Sequence, residues 1–477
     1  MIAKIKLLSL IAFLTISCNR KDLQNEKKPN IVFVLVDDLG WKDLGIYGSE
    51  FYETPNLDQF TSESVMFTNA YSASPVCSPT RASIMTGKYP SRVGITDWIP
   101  GLDPKDRKLL GPQDLNELPL QEVTIAEVLK RNNYKTFFAG KWHLGDSGYF
   151  PEQQGFDLNF GGHHMGQPPG GYYSPYNNPK LKDGPDGEYL TDRLTNESIK
   201  FIEENSENPF FVYLSYYSVH TPIEANKKYV GKFREKLKTL KNSKIEKLKE
   251  HNGSTVQNQV NPEYASMVYS LDKNFGRLIS KLKKLDLYDN TIIVFTSDNG
   301  GLSTLSLNAN APTSIKPLRA GKGWCYEGGI RVPLLIKQQG KSKKVISDFP
   351  VVSMDFFPTL LELACLDNIP IENIDGKSLV PLLNGENQID REAIFWHFPH
   401  YHGSMWTPGS AIRKGKWKLV EFYETGEIEL YNLKEDLSEK NNLSEKYPEK
   451  VKELKTELEI FLDKTNAKYP LKNSNYN

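Results

Sequence analysis

The sequence predicts an α/β protein: a large, mostly parallel sheet sandwiched by helices, then a smaller C-terminal α+β subdomain carrying an antiparallel sheet. Three observations predict it. Residues 31–36, 136–140, 210–217 and 291–296 are continuous apolar runs of strand length, the pattern of parallel strands buried on both faces. Helical spacing at 118–131 and 192–205 alternates with those runs. Near Pro350 the character changes, and later segments alternate with a period of two. A chain of 477 residues has room for both units.

At the amino end, Lys4 and Lys6 precede the apolar run 7–16. That run is too short to span a bilayer stably but suits the core of a secretory signal, so 1–17 reads as a signal peptide. Ser17-Cys18 resembles a bacterial lipoprotein cleavage site, with lipid added to Cys18 and 18–28 as a polar tether. A plain cleaved signal is the alternative. Either way the chain is expected outside the inner membrane of a bacterium, periplasmic or at the cell surface, touching membrane only through the lipid.

Residues 29–350 read as the catalytic domain and 351–477 as the C-terminal subdomain. The first strand ends in Asp37-Asp38, the second in Lys141-Trp142-His143. The third runs into His220-Thr221-Pro222, and the fourth into Ser297-Asp298-Asn299-Gly300. Ligands of open α/β sheets bind beyond the carboxyl ends of strands, so four runs ending in acids, amides or cations point to one shared site. Before the second strand, Cys77-Ser78-Pro79 opens a short helix that Gly87 closes, with Ser78 as its expected cap. Cys77 then sits where helix amides favour an anion, and Arg81 adds a fixed bidentate donor. Lysine-rich 227–250 reads as a solvated helical insertion. Past Pro350, Asp355 to Leu361 begins a closing helix, 411–420 and 429–433 read as strands, and 448–465 as a helix.

Lys and Arg together number 59, as do Asp and Glu. With no net charge to steer a polyanion, nucleic acid is not an expected partner. Asp37, Asp38, Asp298 and Asn299 offer only oxygen donors, which suits a hard cation such as calcium or magnesium rather than zinc. Cys325 and Cys365 either pair in an oxidising compartment or stay as buried thiols.

Cys77-Ser78-Pro79-Thr80-Arg81 matches the Cys-x-Pro-x-Arg signature, and 133–145 is similar to a second motif, of the formylglycine-dependent (type I) sulfatases of the alkaline phosphatase superfamily. Asn133 stands where that second motif usually has glycine. The resemblance implies oxidation of Cys77 to formylglycine by a formylglycine-generating or anaerobic sulfatase-maturing enzyme. It implies one calcium on Asp37, Asp38, Asp298 and Asn299, completed by the residue made from Cys77. It further implies that the hydrated aldehyde attacks sulfur with Asp298 as base, while Arg81, Lys141 and Lys316 hold the sulfate oxygens. His220, with Lys316, protonates the departing alcohol, and His143 takes a proton from the second hydroxyl so that sulfate leaves. Asn299 stands where related phosphatases usually carry a zinc-binding histidine.

For an exported sulfatase the expected substrate is a sulfated carbohydrate. The loops around His163, His164, His400 and His402 resemble those of bacterial polysaccharide sulfatases acting on galactose-type or algal sugars. Three rivals remain: a phosphate or phosphonate monoester hydrolase on the same scaffold, a surface lipoprotein that only captures glycans, and a conventional cysteine hydrolase. The last lacks a neighbouring His/Asn dyad.

Overall fold

In a computed structural model, residues 27–476 are described apart from 103 and 342. Cys18, the signal segment and most of the tether lie outside the described residues. The central sheet runs in the order Val345–Ser347, Val65–Tyr71, Arg331–Lys337, Thr291–Ser297, Asn30–Val36, Phe210–Tyr216, Lys135–Gly140, Leu158–Phe160, with Val351–Val352 beside Val65–Tyr71. All its pairings are parallel except those of Arg331–Lys337. The four apolar runs are therefore adjacent strands, as expected.

Their unbroken hydrophobicity follows from helices on both faces. Ile31, Phe33 and Leu35 enter one core with residues of the helices Cys77–Thr86, Ile125–Arg131 and Phe356–Leu363. Val32, Val34 and Val36 enter the other, with Leu190–Glu204 and Pro262–Lys284. Register matters more for function: Val36 pairs with both Tyr216 and Ser297, and Gly140 with Ser215. All four strands end at one level.

Several boundaries move. The helix expected over 118–131 starts at Ile125, because Thr124 and Glu127 close a reciprocal cap: Glu127 N donates to Thr124 Oγ1 at 3.1 Å and Thr124 N to Glu127 Oε2 at 2.9 Å. The 227–250 segment is not one helix. Val230–Lys238 is helical, and Lys247–Glu250 forms a hairpin with Gly253–Val256 that Thr304–Ser306 extends. The domain boundary at 350 also falls too early, since Val351–Val352 joins the large sheet and Phe356–Leu363 packs in its core. Cys325 and Cys365 are separate thiols, the first buried and the second exposed.

The antiparallel sheet of the C-terminal subdomain comprises Ala393–Phe398, Gly409–Lys414, Trp417–Phe422 and Ile428–Asn432, covered by Pro448–Lys464. A buried ionic cluster joins it to the large domain. Lys418 Nζ lies 3.0 Å from Glu327 Oε1 and 2.8 Å from Glu439 Oε1, with all three side chains inaccessible. Against the cost of burial, Lys418 and Arg331 hold Glu327 below its usual range, whereas burial pushes Glu439 up. Lys418→Ala would leave Glu439 without its counter-charge and Glu327 with Arg331 alone, an expected loss of about 3–5 kcal/mol. Thermal or urea unfolding measures it, and an unchanged midpoint would refute this account of the joint.

Candidate active site

Each strand end delivers its side chain to the same place. Past Val36 and Ser297 come Asp37, Asp38, Asp298 and Asn299, all buried. Asp38 takes a left-handed φ of 61°, which turns the chain at the strand end. Asp38 N donates to Asp298 Oδ1 at 3.2 Å, and Asn299 Nδ2 to Asp38 Oδ1 at 2.8 Å. Asn299 Oδ1 is buried and accepts no hydrogen bond among the described residues.

Three cations face these acids. Lys141 Nζ lies 2.9 and 2.8 Å from the two Asp37 oxygens. Arg81 reaches Asp298 Oδ2 through Nε at 2.8 Å, and its Nη1 donates to Lys141 O and Ser215 Oγ, both at 2.7 Å. The third cation is Lys322, whose Nζ is 2.7 Å from Asp38 Oδ1 and 2.9 Å from Oδ2. Against burial, Lys322 holds Asp38 well below the carboxylate range and Arg81 lowers Asp298. Burial, reinforced by Asp298 and Asp38, pushes Asp37 up despite Lys141.

The lysine expected at 316 is the clearest miss. Lys316 is exposed, whereas Lys322 is buried beside Asp38. Its signal was Gly321-Lys322-Gly323 just ahead of the Arg331–Lys337 strand. Gly323 has φ +85°, and a Cβ there would lie 2.1 Å from His402 Nδ1, so only glycine lets the His402 loop close over Lys322.

Cys77 is the first residue of its helix. Ser78 does not cap it. Its hydroxyl donates to His143 O at 2.9 Å and accepts from Ile99 N at 3.1 Å, tying three segments together. Gly87 closes the helix with φ 71°, as expected. Cys77 Sγ lies 3.3 Å from His143 Nδ1. The other ring nitrogen of His143 donates to Ile99 O, which fixes the tautomer and leaves Nδ1 as acceptor toward position 77. Burial and the Lys141 charge keep that ring well below the usual histidine range, hence neutral.

His220 Nδ1 donates to Thr221 O at 2.7 Å, so Nε2 is the free face, 3.8 Å from Asp38 Oδ2. Burial and Lys322 lower it to about 3. Asp298, expected as a base, has Oδ2 taken by Arg81 and Oδ1 by the Asp38 amide, which fits a ligand better than a proton acceptor.

A cleft of about 810 Å³ opens on Asp38, Cys77, His143, His220 and Lys322. Of the four histidines expected to touch substrate, His164 and His402 line it. His163 is buried behind, its carbonyl accepting from His143 N at 3.2 Å and its Nδ1 from Met165 N at 3.3 Å. His400 is buried against Thr96, with Nε2 at 2.8 Å from Oγ1, and does not line the cleft. Trp98, whose ring centroid lies 6.5 Å from that of His143, lines the cleft and was not anticipated.

The residues present fit a hard cation: three buried carboxylates crowd one point, and an amide oxygen beside them has no partner among the described residues.

Comparison with known proteins agrees with this geometry. The sulfatase family profile matches residues 29–366, and that of the C-terminal part of N-sulphoglucosamine sulphohydrolase matches 320–468. A sulfatase of Formosa agariphila is 30% identical across 94% of this chain and 90% of its own length. The N-acetylgalactosamine-6-sulfatase of Canis lupus familiaris is 32% identical over 77% of this chain and 68% of its own. The crystal structure of Ps i-CgsB in complex with k-i-k-neocarrahexaose is 31% identical, covers 91% of this chain and 93% of that one, and has a TM-score of 0.72. The sulfatase profile over residues 29–366 and these relatives make the chain a member of the sulfatase family, an enzyme that hydrolyses sulfate esters.

Proposed function

We propose that the chain removes sulfate from a sulfated carbohydrate, with position 77 acting as formylglycine and one calcium ion held by Asp37, Asp38, Asp298 and Asn299. The observation that carries the reading is Cys77 itself, at the cleft floor, 3.3 Å from the unprotonated nitrogen of His143. When present, the cation polarises a sulfate oxygen, and the hydrated aldehyde supplies a nucleophile whose second hydroxyl offers an exit.

The chain's own residues do the rest. Lys322, the cation lining the cleft, meets the charge on the sulfate oxygens. Arg81 and Lys141 act from below by fixing Asp298 and Asp37. His143 accepts a proton at Nδ1 as sulfate leaves. His220 presents Nε2 to the departing alcohol; a proton taken up there from water, favoured once the anion binds, passes to the alcohol oxygen as the S–O bond breaks. The carbohydrate reading draws support from the named sugar sulfatases among the relatives and from an indole beside the reacting centre. In the same reading the protein is exported and tethered through Cys18.

Two experiments test it. A mass spectrum of the Cys77 peptide, from a host able to install the modification, is expected to show loss of the sulfur, and an intact thiol would overturn the formylglycine reading. Defined sulfated oligosaccharides are expected to release sulfate faster than matched phosphate esters release phosphate, and the reverse order would make the enzyme a phosphatase.

Metal removal gives a third expected outcome. Calcium added at about 100 times Kd to chelated protein should stabilise it by about 2.7 kcal/mol. Calorimetry should register this as a rise in Tm, and no response to calcium would remove the ion from the scheme.

A further inference from the structure

The cleft above the reacting centre has a one-sided charge pattern. Among its described lining residues Lys322 is the sole lysine or arginine, and Asp38 already engages it. The outer wall carries two carboxylates, Glu117 and Asp146. Glu117 is half-buried and makes no hydrogen bond or ion pair among the described residues. It is nevertheless held in position: Leu118 N donates to Leu144 O at 3.0 Å, which seats Glu117 beside the loop that carries His143. Asp146 accepts from Ser147 N at 2.8 Å and lies 3.5 Å from His164 Nδ1. The same cleft is also lined by apolar Trp98, Ile99, Leu302 and Leu305.

A sulfated sugar enters with its reacting sulfate on Lys322. The rest of the ring then meets an indole and two carboxylates among the lining side chains. A pyranose with free hydroxyls satisfies both, because C–H groups pack on the indole and hydroxyls donate to carboxylate oxygens. A second sulfate or a uronic carboxylate meets Glu117 and Asp146 with no lysine or arginine to receive it. Like charges juxtaposed there are disfavoured, more so at half-buried Glu117 than at solvent-exposed Asp146, where water and salt screen the repulsion.

Resting on the hydrolase reading above, we infer that this enzyme selects a sulfate ester on an otherwise neutral, hydroxyl-bearing sugar and rejects polyanionic glycans, with Glu117 and Asp146 as the discriminating residues. The inference concerns the remainder of the substrate, not the chemistry at sulfur.

The test compares kcat/KM for a panel of monosulfated neutral disaccharides, in several positional isomers, with the same disaccharides bearing a second sulfate or a uronic carboxylate. Turnover of a small aryl sulfate is measured alongside. The monosulfated sugars are expected to be favoured by about tenfold or more. The double variant Glu117→Gln/Asp146→Asn is expected to narrow that ratio by about threefold or more. Raising salt from about 0.01 to about 0.5 M should narrow it in the unaltered enzyme too, since both carboxylates reach solvent. That arm needs no variant to fold. A preference for the polyanionic sugars, or a ratio that neither salt nor the variant moves, overturns the inference while aryl sulfate turnover keeps the hydrolase reading intact. Absence of aryl sulfate turnover overturns both.

Discussion

Cys77→Ala protein is expected to fold normally and to lose at least about 10⁴-fold in sulfate-ester turnover, since the proposed mechanism takes its nucleophile from position 77. Folding should survive because the change deletes one sulfur from a helix whose other anchors remain: the Ser78 bridge between His143 and Ile99, and the Gly87 terminus. Alanine is preferable to serine, whose hydroxyl retains a nucleophile. Sulfate release and the thermal midpoint, measured on one preparation, decide the matter. Residual activity within tenfold of the starting enzyme would mean that water attacks directly and that position 77 only shapes the site.

Lys322→Ala should lower kcat by about 10²–10³, the size seen when one preorganised donor to a developing charge is removed. Lys316→Ala should change it by less than about twofold, as expected for an exposed side chain outside the cleft. The two lysines lie six positions apart in sequence and differ by burial beside Asp38. Removing Lys322 also leaves the Asp38 carboxylate without its main counter-charge, so calcium should recover part of the lost stability but not the lost rate. Equal effects of the two substitutions would return the role to Lys316.

That pair also marks how far the sequence could be read. The central strands were legible because burial on both faces leaves few polar positions, and Asp37, Lys141, His220 and Asp298 were legible because they follow those runs within a few residues. Lys322 lies in an irregular segment with no periodicity to place it, and only its flanking glycines hinted at close approach. Thr124-x-x-Glu127 was a readable start signal that the apolar residue Leu118 obscured. The 227–250 hairpin escaped because its lysines mimic a solvated helix, whereas pairing with Thr304–Ser306 is nonlocal. His400 and His402 sit two residues apart, yet one turns toward Thr96 and the other toward the cleft, a difference set by contacts distant in sequence.

The stretch carrying Lys322 is fastened from both halves of the molecule. Lys322 N donates to Gly301 O at 3.0 Å and Gly323 N to Pro75 O at 2.8 Å. From the other half, Ser404 O accepts from Trp324 Nε1 at 2.8 Å, and Glu439 Oε2 from Glu327 N at 2.7 Å. A protease nick near residue 390, followed by loss of the tail, would therefore spare every acid in the cage while unmooring the lysine that lines the cleft. The tail is thus a working part of the catalyst rather than an appendage, and a shortened version should persist as an inert shell.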